Sequence, residues 1–64
     1  MPTPLDALPQ VGAPATRALE GAGYTSLGQL AGVPRSDLSR LHGVGPRALA
    51  VIEAELEQQD LRLA

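Results

Sequence analysis

The groups best suited to chemistry stand in one run, Arg40-Leu41-His42-Gly43-Val44-Gly45-Pro46-Arg47. Two glycines remove the side chains where the chain turns, so a ligand can approach the backbone closely. A helix opening at Pro46 leaves its first amides without intrahelical partners, and the positive end of its dipole lies there. Arg47 adds a guanidinium in the first helical turn, where it can make charge-assisted hydrogen bonds to a phosphate. The chemistry on offer is anion binding. The same residues also make an ordinary joint, because glycine commonly follows a helix and proline commonly begins one. Both uses stay open at this level.

Other chemistry is poorly supplied. The chain has no cysteine and one histidine, His42, with no acid placed to orient it. A zinc site needs several good ligands, and they are lacking. The Gly-Val-Gly turn has neither the length nor the lysine of a nucleotide-binding phosphate loop. A non-enzymatic protein without metal or cofactor is expected, and a chain this small offers little room for a small-molecule substrate.

The elements that must position the turn belong to a chain of 64 residues, which implies one domain spanning 1–64. Hydrophobic residues make up 44% of it, yet Tyr24 is the only aromatic, so Leu, Val, Ile and Ala must build the core. That composition suits close helix packing better than a sheet. No apolar run approaches the roughly 20 residues that span a bilayer. The opening "MPTPLDALPQ" lacks the charged start and apolar stretch of a signal peptide, so a cytoplasmic location is expected. Net charge is −2, and all five basic residues are arginines: Arg17, Arg35, Arg40, Arg47 and Arg62. Glu53, Glu55, Glu57 and Asp60 gather near the C-terminus as a solvated face, which leaves room for a basic patch elsewhere, and Arg35 and Arg40 are candidates to widen it.

Five mostly short helices are expected. Thr3, Pro4 and Asp6 form a helix start that Pro9 and Gly12 stop. A second helix opens at Pro14, buries Ala15, Ala18, Leu19 and Ala22, and stops at Gly21 and Gly23. Thr25 or Ser26 caps a third, with Leu27 and Leu30 inward; Pro34 opens a fourth, with Leu38 and Leu41 inward. The last runs from Pro46 to about Gln58 or Gln59, with Leu49, Ile52 and Leu56 on one stripe. Leu61 and Leu63 fold back as a tail.

The chain also matches itself when shifted by 33 residues: Leu5 falls on Leu38, Leu8 on Leu41, Val11-Gly12 on Val44-Gly45, Ala15 on Ala48, Ala18 on Val51 and Leu19 on Ile52. Such a period suggests ankyrin repeats, but two units could not cap a solenoid. Two copies of helix–tight turn–helix, linked by residues 24–34, fit better.

This unit resembles the helix-hairpin-helix motif. "LHGVGPRALAVI" is a good match, and "LPQVGAPATRAL" is a degenerate one with Gln10 in place of the first glycine. From about residue 11 onward the chain is similar to the C-terminal domain of the bacterial RNA polymerase alpha subunit, through "RALEGAGYTSLGQL", the pair Asp37-Leu38, then Gly45, Arg47, Leu49 and Ile52, and the leucine-rich tail. The resemblance implies an all-α domain of five helices in two pseudo-symmetric hairpins, a SAM-like orthogonal bundle. Its first hairpin would cover about 3–22, its connecting helix about 26–31 and its second hairpin about 35–58. It implies contact with the phosphate backbone of double-stranded DNA, largely independent of base sequence, through Gly43, Val44, Gly45 and Arg47, with Arg17 and Gly12 contributing from the first turn. The family's principal arginine falls on Pro14, and two further contact positions fall on Ala48 and Val51. The alternative is a protein–protein interaction module of a transcription or repair complex with the same fold.

Overall fold

A computed structural model describes residues 4–64. Its helices are α1 (Ala13–Gly21), α2 (Leu27–Leu30), α3 (Arg35–Ser39) and α4 (Pro46–Glu57), with no strand among the described residues. The radius of gyration is 10.2 Å, close to the roughly 11 Å of a well-packed chain of this length.

The core is wholly aliphatic. Leu19, Leu27, Leu30, Leu38, Ile52 and Leu56 are fully buried, with Ala15, Val44, Ala48 and Leu49 nearly so. Each helix delivers part of this set, so even the short α2 and α3 are held by packing rather than by their own propensity. Tyr24 packs against the core, half-buried.

The expected first helix does not form. Thr3 lies outside the described residues, and residues 4–7 make a single turn closed by the Ala7 amide on the Pro4 carbonyl at 3.1 Å. The cause is local. In a helix the Leu5 carbonyl would accept from residue 9, which is a proline without an N–H. Leu8, preceding that proline, is biased away from helical backbone. The Leu5 and Ala7 carbonyls instead accept from Gly28 and Leu27, both at 2.9 Å. These are the opening amides of α2, so the N-terminal segment caps a helix instead of being one. Gln29 closes the same end, its side-chain oxygen accepting from the Thr25 and Ser26 amides at 2.6 and 3.2 Å.

α1 and α4 end alike. The Tyr24 amide reaches back to the Leu19 carbonyl at 2.8 Å, and the Leu61 amide to Leu56 at 2.9 Å. Both are Schellman closures that require a left-handed residue. Gly23 supplies it after α1 and Asp60 after α4, with φ of 94° and 59°. Beyond Asp60 the tail folds back as expected. Leu61 and Leu63 pack on the core, and the chain pairs with residues 32–33 through Gly32 N–H to Arg62 and Ala64 N–H to Val33, both 2.9 Å.

Candidate functional site

The turn between α3 and α4 is pinned from inside. The Val44 side chain is 6% exposed and sits in the core, while its amide donates to the Leu41 carbonyl at 3.1 Å. Val44 therefore anchors the turn, and neither its side chain nor its N–H is free to meet a ligand. Of the glycines flanking it, Gly43 is exposed and Gly45 is half-buried.

The two glycines of this turn serve different ends. Gly43 has φ +102°, and a Cβ there would lie 2.8 Å from the Pro14 carbonyl oxygen and 3.1 Å from its carbonyl carbon. Conformation and packing both demand glycine. Gly45 is extended, with φ −93° and ψ −179°, and a Cβ on it would meet nothing within 4 Å. The fold makes neither demand at Gly45.

Gly45 is the N-cap of α4, followed by Pro46 at the first helical position. The first inward amide bond is Leu49 to the Gly45 carbonyl at 3.1 Å. The amides of Arg47 and Ala48 have no such partner, and no side chain caps this end. Extended backbone at an N-cap is where Ser, Thr, Asp or Asn normally stands and satisfies those donors. The first turn of α4 holds no acid, and it holds Arg47, which is exposed. A cation at the positive end of a helix opposes the dipole by about 0.3–1 kcal/mol. An anion bound there would offset that cost.

The start of α1 has the same register and less to offer. Gly12, 33 positions before Gly45, is its N-cap, and the Thr16 amide closes on the Gly12 carbonyl at 3.0 Å. Gly12 holds φ 93° and ψ 156°, a conformation essentially reserved for glycine. Pro14 takes the second helical position, where α4 has Arg47. It has no N–H, and its carbonyl is packed against Gly43. Arg17 is exposed one turn further along α1. The Pro14–Gly43 approach brings the beginnings of α1 and α4 together on one side of the molecule.

The remaining basic residues divide. Arg40 and His42 are exposed beside the turn. Arg35 instead bonds Glu53 of α4 through Nε at 3.0 Å, with both side chains about half exposed. Such a surface pair adds little stability, but it commits Arg35 to the acidic face of α4. Among the described residues, no three His, Cys, Asp or Glu side chains gather to hold a metal ion, and no helix is long and apolar enough to cross a membrane.

One feature was not visible in the sequence, the Pro14–Gly43 approach, which is a tertiary contact without a local signal. The Ala48 amide was legible, since numbering the helix from the Gly45 cap adds it to the candidate donors. Neither the protein-family models, nor the curated proteins, nor the solved structures contain a match to this chain.

Proposed function

We propose that this chain is a tandem helix-hairpin-helix module that binds the phosphate backbone of duplex DNA, largely independently of sequence, acting in the cytoplasm as an accessory part of transcription or repair machinery. The two units meet at the Pro14–Gly43 contact, and the first is reduced to a turn and α1. The second turn carries the contact. One observation supports this above the others: Gly45 is a glycine that neither backbone conformation nor packing requires, at a helix start left without a cap. With no cap at this start, the Arg47 and Ala48 amides lack a protein acceptor, and a phosphate oxygen at the Gly45 position would supply one, with the exposed Arg47 side chain alongside. Arg17 and Arg40 extend the positive surface. Contacts of this kind position a protein on DNA and do not read bases.

Two features favour the second reading, a protein-interaction module on the same fold. Pro14 removes the amide that would complete the first turn, and net charge is −2.

A titration of isotope-labelled protein with short duplex DNA, followed through backbone amides at two salt concentrations, separates the two. DNA binding shifts the Gly45, Arg47 and Ala48 amides. Affinity falls about tenfold between 50 and 200 mM salt if two phosphates are engaged. Unmoved amides at low salt would exclude the DNA role and leave the protein partner.

A further inference from the structure

We draw no further inference here: the strongest candidate, the open cleft between the C-terminal half of α4 and the returning tail, lined by Glu57, Asp60, Leu61, Arg62 and Leu63 beside the Arg35–Glu53 pair, mixes opposite charges that largely offset each other, and nothing in the structure shows what covers it.

Discussion

A Cβ on Gly43 would stand 2.8 Å from the carbonyl oxygen of Pro14, so two turns distant in sequence meet backbone against backbone. That is well inside van der Waals contact, and the obstacle is main chain rather than a flexible side-chain end. The approach also fixes how the starts of α1 and α4 lie side by side. Gly43→Ala is therefore expected to destabilise the fold by about 2–4 kcal/mol, combining left-handed strain of about 1–2 kcal/mol with displacement of the Pro14 backbone. Urea denaturation followed by circular dichroism measures it. A loss below about 0.5 kcal/mol, typical of a neutral surface change, would show that the two turns do not pack this closely.

Gly45 is expected to behave oppositely. Asp at this N-cap has the backbone conformation and the space it needs. It would accept from the open amides and complement the dipole, so Gly45→Asp should stabilise the fold by about 0.5–1 kcal/mol. In a domain this small that corresponds to a rise of roughly 2–8 °C in Tm. The same carboxylate would fill the anion site and repel phosphate, weakening DNA binding at least tenfold. Gly45→Ser, a neutral cap, should give the gain in stability with a smaller loss of binding. DNA binding that survived Gly45→Asp unchanged would place the contact elsewhere.

Arg47→Ala separates folding from binding in another way. The side chain is exposed and opposes the helix dipole, so its removal should leave stability unchanged or raise it by a few tenths of a kcal/mol. Binding should weaken across all DNA sequences alike, and the slope of log affinity against log salt should shrink by about one. A loss confined to particular sequences would mean that Arg47 reads bases instead of holding phosphate.

The helices α1 to α4 were legible in the sequence because each start is marked, by Pro14, Ser26, Pro34 and Pro46, and because the apolar residues of α1, α2 and α4 recur three and four apart. The aliphatic core followed from a composition that offered no other material. The missing first helix was only half legible: Pro9 argues against it locally, but the donors that draw the segment away lie far along the chain. Thr3, Pro4 and Asp6 form a good local start, but the Leu5 and Ala7 carbonyls find better donors in Gly28 and Leu27. The site was half legible. The run 43–47 was legible as a turn leading into a helix, with Gly43 exposed and Gly45 half-buried on either side of Val44. Val44 is bound into the core, and the division between Gly43, which the fold needs, and Gly45, which it does not, depends on what stands opposite each of them in space.

Asp60 offers a control that acts mainly on stability. It closes α4 at φ 59°, in the position Gly23 occupies after α1. Aspartate tolerates left-handed backbone better than most residues, yet glycine carries no steric cost there. Asp60→Gly should therefore stabilise the protein by about 0.5–1 kcal/mol, the usual scale for a helix-ending residue brought into agreement with its conformation. The substitution also thins the acidic face at the far end of α4 from Gly45. Because exposed charges more than a Debye length apart are largely screened, with that length near 8 Å at physiological salt, DNA affinity should move little there and rise modestly at low salt. Thermal denaturation and a binding isotherm on one preparation test both halves. A large gain in affinity at physiological salt would mean that the acidic face itself competes for the ligand site, which the separation of Asp60 from Gly45 along α4 argues against.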